Sequence, residues 1–426
     1  MEQKYINKLE FNKILDVLTD ICITDIGKDL AKNLQPCNNK DAVLNLLKET
    51  TEAVSLIYKK NTPEIFPISD IDYISKTLES MGTLNNKSLL EVAKILALSA
   101  TLKSYYYNDN DENFSLPILE NYFSMLYTNP SIQENIQKCI LDEFTVSDDA
   151  SKELLSIRKK QKSLEETIKN KLNSFIHSSS YSKYIQENLI TIRNDRYVIP
   201  VKEEFKTMIK GFIHDISASG STVFIEPISI FELNNEIANL KAEEYKEIEK
   251  ILTRLSSLLY PIINELKNTT KIIGKLDFIF AKAKYAIKLN AIEPEINDKK
   301  FVKLLGARHP FIDENLVVPI DINIGIDFST LVITGPNTGG KTVTLKTVGL
   351  LTLMACSGLH IPAKEHSSIY VFDNVFADIG DEQSIQESLS TFSAHMRNII
   401  EILNNSTSNS LVLLDELGSR YWSYRR

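Results

Sequence analysis

The 426-residue sequence holds only four cysteines, Cys22, Cys37, Cys139 and Cys356, and they stand far apart. That spacing supplies neither a metal-ligand set nor a disulfide framework, and it makes a reducing cytoplasm the expected compartment. No apolar run approaches the ~20 residues of a membrane-spanning helix. The opening Met1-Glu2-Gln3-Lys4 has no apolar core of the kind a secretory leader carries. No membrane association is therefore expected. Positive charge is not in excess either. The net charge of −8 argues against a globally basic nucleic-acid binder and leaves room for a local basic surface. The polar run from Asn108 to Asn113 lacks the sixth-position glycine and twelfth-position glutamate of a calcium loop, and reads as a solvated loop.

What the sequence does have is concentrated near its C-terminal third. Leu331-Val332-Ile333-Thr334 reads as a buried strand, followed by Gly335-Pro336-Asn337-Thr338-Gly339-Gly340-Lys341-Thr342 and an apolar helix. This is the G-x-x-x-x-G-K-[ST] pattern of a phosphate-cradling loop in its strand–loop–helix context. Gly335 and Gly340 let backbone N–H groups approach phosphate oxygens, and the helix start adds its dipole. Lys341 would reach the β- and γ-phosphates, and the Thr342 hydroxyl would help hold Mg²⁺. Downstream, Leu411-Val412-Leu413-Leu414-Asp415-Glu416 reads as a buried strand ending in two acids. Asp415 would hold Mg²⁺, and Glu416 would polarise an attacking water as general base. Together the two motifs predict ATP and Mg²⁺ as ligands. Between them, Gln383 is a candidate for the metal and water loop. Ser390 and Thr391 form a candidate N-cap pair for an amphipathic helix, and that helix start reads either as a cap alone or as meeting a γ-phosphate bound in a neighbouring subunit.

The length predicts about two to four domains. Residues 1–146 read as a helical core, with Thr24-Asp25 capping its second helix. Residues 147–189 hold a long helix, apolar at Leu164, Ile168, Leu172 and Phe175, and basic at Arg158, Lys159, Lys160, Lys162, Lys169 and Lys171. Those charges read as a solvated face or as a phosphate-contact surface. Residues 190–227 switch to four short strands, with turns at Asn194-Asp195 and around Ser217-Ala218-Ser219-Gly220-Ser221. His214, Asp215 and Ser217 lack the strand–turn–helix setting of a nucleophile, so a tight turn is expected there. Residues 228–293 resume a near-3.5-residue apolar repeat that Glu244 interrupts, then return to the core. Paired antiparallel, the two long helices would make a lever of 35–40 residues per helix, about 50–60 Å, with the β unit at its tip. Residues 294–426 read as the nucleotide-binding α/β domain.

These residues resemble one family. Thr334-Gly335-Pro336-Asn337, Ala307-Arg308-His309-Pro310, Ser390-Thr391-Phe392 and Leu413-Leu414-Asp415-Glu416-Leu417-Gly418 are similar to the ATPase motifs of MutS proteins. Thr24-Asp25-Ile26-Gly27-Lys28, Leu276-Asp277 and the stretch from His214 to Pro227 resemble the second bacterial MutS paralogue. The resemblance implies a multidomain fold: a mainly α-helical core, long lever helices with a small β clamp-like tip, then an ABC-type P-loop ATPase domain, here incomplete at its C-terminus. It implies a homodimer with composite ATP sites that the partner's Ser390 region completes. It further implies ATP-driven clamp closure on branched or mismatched DNA, suppression of recombination, or the sensing and splitting of collided ribosomes through rRNA contacts. Relatives often stack an aromatic on adenine, whereas here Val317 or Val318 is the expected apolar contact. After Gly418-Ser419 the family's pattern continues Gly-Thr-Asp-Pro and leads on to a C-terminal Smr nuclease, which is expected to be missing here. One codon choice for residues 420–426, read after loss of a single base, gives Gly-Thr-Gly-Pro. A frameshift or sequencing error at the end of the chain is therefore the expectation, with impaired hydrolysis as its consequence. The alternative is a non-catalytic remnant that acts only as a helical interaction module. An ABC-type chromosome-maintenance ATPase fits less well, since its coiled coil would interrupt the ATPase motifs instead of preceding them.

Overall fold

The computed structural model describes residues 2–108, 115–336, 339–380 and 388–415. In chain order the helices are α1 (Gln3–Lys8), α2 (Phe11–Ile21), α3 (Asp25–Lys32), α4 (Lys40–Lys60), α5 (Asp72–Glu79), α6 (Asn86–Tyr107), α7 (Pro117–Ser124), α8 (Pro130–Cys139), α9 (Lys152–Ile176), α10 (Ile228–Ser257), α11 (Ile263–Lys288), α12 (Lys341–Cys356) and α13 (Ser388–Asn405). The strands are β1 (Thr191–Arg193), β2 (Arg196–Lys202), β3 (Gly211–Ile216), β4 (Thr222–Pro227), β5 (Glu295–Asn297), β6 (Val302–Ala307), β7 (Ile320–Ile324), β8 (Ser368–Tyr370), β9 (Asn374–Asp378) and β10 (Ser410–Leu414). The chain is mostly helical with small sheets and divides into two compact units. None of the described helices is long and apolar enough to cross a membrane. The candidate calcium-like loop falls almost entirely outside the described residues.

One unit comprises residues 72–94 and 129–263. Its frame is the antiparallel pair α9 and α10. Ile168, Leu172 and Ile176 of α9 share a buried cluster with Ile230 and Ile237 of α10 and with Ile199, Val201, Val223 and Ile225 of the sheet. The helices have 25 and 30 residues, about 37 and 45 Å, shorter than the expected lever. The difference arises because residues after Ile176 leave the helix for a short 3₁₀ turn at Ser182–Tyr184. Glu244, which breaks the apolar repeat, accepts from Arg158 Nε at 2.7 Å and from Gln161 Nε2 at 2.9 Å. The interruption is thus a polar staple between the two helices. The sheet runs β1-β2-β4-β3, antiparallel throughout. Asn194 and Asp195 take positive φ values of 50° and 61° at the β1–β2 turn, as a two-residue hairpin requires. Fully buried Glu226 gathers Arg196 Nη1 at 2.9 Å, His214 Nε2 at 2.6 Å and Asn234 Nδ2 at 2.7 Å. His214 is therefore committed to Glu226, Asp215 pairs with Arg193, and Ser217 Oγ accepts the Thr222 N–H. The three form no nucleophilic set.

The other unit comprises residues 1–71, 95–128 and 264–426. The expected helical core of 1–146 is thus divided, and its first segments fold together with the C-terminal third. Buried Asp277 on α11 explains one early motif. Its Oδ2 accepts the N–H groups of Ile23 and Thr24 and the Thr24 hydroxyl at 2.7–2.9 Å, while Thr24 Oγ1 caps α3 through Gly27 N. β6 lies between β7 and β8, β8 also pairs in parallel with β5, and β9 pairs in parallel with β10. Beneath α4, buried Glu49 receives Lys275 Nζ and Tyr122 Oη, each at 2.9 Å, with Lys282 Nζ at 3.8 Å. Burial pulls the Lys282 ammonium down to about 7. His360, 5% exposed, sits with Nε2 2.8 Å from the Thr51 hydroxyl. Burial, and then Lys282, lower its pKa from 6.5 to about 4.

The His360 shift carries a pH signature. The unfolded chain takes up a proton near 6.5 and the folded chain only near 4, so stability falls as pH drops through that window, by on the order of 3 kcal/mol. Denaturant midpoints at pH 7 and pH 4.5 are expected to separate clearly in the wild type and to draw together in His360→Gln. Equal separation in both proteins would remove this histidine from the acid response.

Candidate nucleotide-binding site

Helix α12 begins at Lys341, directly after Gly340 at φ +78°, a left-handed conformation suited to glycine. Gly335 has φ +149°, and a Cβ at either glycine would meet open space. Lys341 Nζ donates to the Gly335 carbonyl at 2.6 Å, so the ammonium folds back over the loop it follows. The Thr342 hydroxyl donates to Asp415 Oδ2 at 2.5 Å across 73 residues of sequence. A hydroxyl oxygen and a carboxylate oxygen thus converge at the mouth of the loop. Hard oxygen donors in small number suit Mg²⁺, which takes its remaining ligands from phosphate and water. Among the described residues no cluster of three or more His, Cys, Asp or Glu could hold a metal alone.

Asp415 is placed by β10. That strand runs parallel to β9, with Leu414 opposite Asp378, and the Asp415 N–H continues the ladder to the Asp378 carbonyl at 2.9 Å. Asp378 is 3% exposed. Burial alone would raise its carboxyl, but bonds from Asn398, His395 and Lys8 outweigh that and hold it below the usual range. Helix α12 is buried over ten successive residues from Thr347 to Cys356. Its neighbours include Leu9, Phe11 and Leu15 from the N-terminal helices and Leu411 and Leu413 from β10. Lys346 Nζ adds an ion pair to Glu10 at 3.0 Å. No periodicity within residues 331–415 signalled that the first eighteen residues belong to this core. The only trace was the apolar face of Leu9, Ile14, Leu15 and Leu18.

Of the predicted site residues, the structure brings together Gly335, Lys341, Thr342 and Asp415. Asn337, Thr338, Gln383 and Glu416 lie outside the described residues. Val317 and Val318 stand on the separate loop between β6 and β7, with Val318 80% exposed. Ser390 and Thr391 fall within α13, which begins at Ser388. The expected buried strand at 331–334 is also corrected. No strand is formed there, and Leu331, Val332 and Ile333 are 39%, 78% and 37% exposed. A strand needs a ladder partner, and none of the described strands pairs with this segment.

The MutS domain V family model matches residues 331–422. Proteins named Endonuclease MutS2 are similar along nearly the whole chain. The Acetivibrio thermocellus protein is 48% identical over 419 residues, the Finegoldia magna protein 46% over 420 and the Clostridioides difficile protein 44% over 419. Each alignment covers 98% of this chain and 53% of the relative. The chain thus spans about half the length of the curated relatives it matches.

The packing of α12 generates a stability test. A Cβ at Gly349 would lie 2.5 Å from Leu9 Cδ2 and 2.7 Å from Leu413 Cδ1. Gly349→Ala is expected to destabilise the protein by roughly 1–3 kcal/mol through overpacking, read as a lower denaturant midpoint. An unchanged midpoint would mean that α12 is not packed against Leu9 and Leu413 in this way.

Proposed function

As a MutS-family sequence that matches MutS2 relatives over 98% of its length, the chain invites a specific reading, and we propose that it binds ATP with Mg²⁺ at residues 335–342 and uses that site to work a nucleic-acid clamp. The observation that carries the reading is the meeting of Thr342 and Asp415, with Lys341 folded over the loop. Each residue has a distinct task. Gly335, Pro336, Asn337, Thr338, Gly339 and Gly340 supply a loop whose backbone approaches the phosphates closely. Lys341 exchanges the Gly335 carbonyl for the β- and γ-phosphate oxygens. Thr342 and Asp415 hold Mg²⁺, which neutralises charge on the phosphates. Glu416 is assigned to orient and deprotonate the attacking water, and Gln383 to the metal and water loop. Val317 or Val318 packs on adenine. Ser390 and Thr391 complete the site of a second copy in a homodimer.

The target is proposed to be DNA, mismatched or branched, with a ribosome and its rRNA as a further target of the same clamp. Local charge supports a polyanion. Between residues 151 and 227 thirteen Lys and Arg stand against nine Asp and Glu, in a chain whose net charge is −8. Lys159, Lys160, Lys162, Lys169 and Lys171 are exposed. Arg158 is not available for contact, since Asp148 and Glu244 hold it. The exposure of Leu331, Val332 and Ile333 favours a second reading: a helical interaction module in which nucleotide plays no part.

Equilibrium dialysis with Mg-ATP separates the two readings. The wild type is expected to retain nucleotide, and Lys341→Ala to weaken it at least about tenfold, as loss of charge-assisted hydrogen bonds predicts. Identical retention by both proteins would leave only the interaction module. For the clamp, substituting Lys159, Lys160 and Lys162 together by Ala is expected to weaken duplex DNA binding and to flatten its log–log salt dependence by about 2–3. An unchanged slope would make these lysines an ordinary solvated face.

A further inference from the structure

We propose that Asp378 is a positioning residue that ties Asp415 to helix α13 and to the N-terminal helix α1, so that the three move as one body. The inference rests on the reading of Thr342 and Asp415 as the Mg²⁺ side of a nucleotide site. Asp378 closes β9, and its main chain and side chain face different duties. Its carbonyl receives the Asp415 N–H at 2.9 Å, the last rung of the parallel ladder. Its carboxylate receives Asn398 Nδ2 at 2.8 Å and lies 3.1 Å from His395 Nδ1, both on α13. The same carboxylate receives Lys8 Nζ at 3.1 Å from α1.

Neighbouring contacts fix the same three pieces. The Tyr5 ring meets Phe376 of β9 edge-on at 5.2 Å, the Tyr5 hydroxyl lies 3.5 Å from Asn398 Oδ1, and Lys4 pairs with Glu401. A carboxylate this buried is stable only while its partners stay in place. Sliding α13 by one turn, about 5.4 Å, would take His395 and Asn398 away together and leave the charge to Lys8 alone. Displacement of α13 is therefore resisted at Asp378, and any displacement that does occur reaches Asp415 through one residue's carbonyl. Helix α1, far away in sequence, serves as the fixed post for both.

The test uses the full chain and the variants Asp378→Asn, Lys8→Met and Lys8→Arg. Affinity for a fluorescent ATP analogue is measured in Mg²⁺ and in EDTA, and amide exchange is followed at Asp415 and along 395–405. In Asp378→Asn and Lys8→Met the gain in affinity that Mg²⁺ provides is expected to shrink about five- to tenfold, while affinity in EDTA stays within about twofold. Lys8→Arg, which keeps the charge, is expected to recover most of the gain. Exchange at Asp415 and in α13 is expected to rise together, with α12 unchanged. An intact Mg²⁺ gain in both charge-removing variants would overturn the proposal. So would an equal loss in EDTA, which would mark general loosening. Lys8 is one-third exposed, so its variants serve if Asp378→Asn does not fold. A wild type that binds no nucleotide would defeat the ATP reading alone, and the exchange data would still decide the tie: independent exchange of Asp415 and α13 would sink it.

Discussion

Everything at the candidate site depends on one crossing: helix α12 passing Leu9 on one side and Leu413 on the other, with only a glycine between them. Gly349 allows that approach. Helix α12 is buried from Thr347 onward, so it carries no amphipathic stripe and cannot be oriented by water. Its direction is set by what surrounds it, and that means the first eighteen residues as much as the strand ending in Asp415. The loop from Gly335 to Gly340 inherits its position from this packing, because Lys341 and Thr342 are the first residues of the same helix. Hydrophobic burial is non-directional. The ion pair between Lys346 and Glu10 supplies the register that burial alone would leave loose.

Both units use the same device to join remote segments: a buried carboxylate serving several donors. Glu226 joins β2, β3 and α10. Asp277 joins α11 to the start of α3. Glu49 joins α4 to α7 and α11, and Asp378 joins β9 to α1 and α13. Each acid would cost several kcal/mol if left unpaired in the interior. An alternative packing that separated one of these acids from its donors would leave a buried charge unpaired.

This device also explains how far the sequence could be read. Local signals were legible. Asn194-Asp195 announced its hairpin and Thr24 its cap, because turn and cap chemistry is decided within a few residues. The meeting of Thr342 and Asp415 agrees with the shared Mg²⁺ role expected of the two residues and not with the segment before the loop, which forms no strand. The partners of buried charges were not. Nothing near Lys8 indicates Asp378, and the basic run containing Arg158 does not reveal that Arg158 is bound to Glu244 while its neighbours are exposed. The segment 331–334 failed for the complementary reason. Its composition is that of a strand, but strand formation is settled by a pairing partner, which composition does not report.

The shared core of α1, α2, α12 and β10 has a consequence for how the chain is made. Leu9 and Phe11 are synthesised about 400 residues before Leu411 and Leu413, which close the same core. At about 5–20 residues per second, these apolar side chains wait on the order of 20–80 s for their partners. The other compact unit, drawn chiefly from residues 129–263, is complete well before then. The unit that contains residues 335–342 is therefore the late-closing one, and the apolar side chains of Leu9 and Phe11 stay without these core partners until it closes.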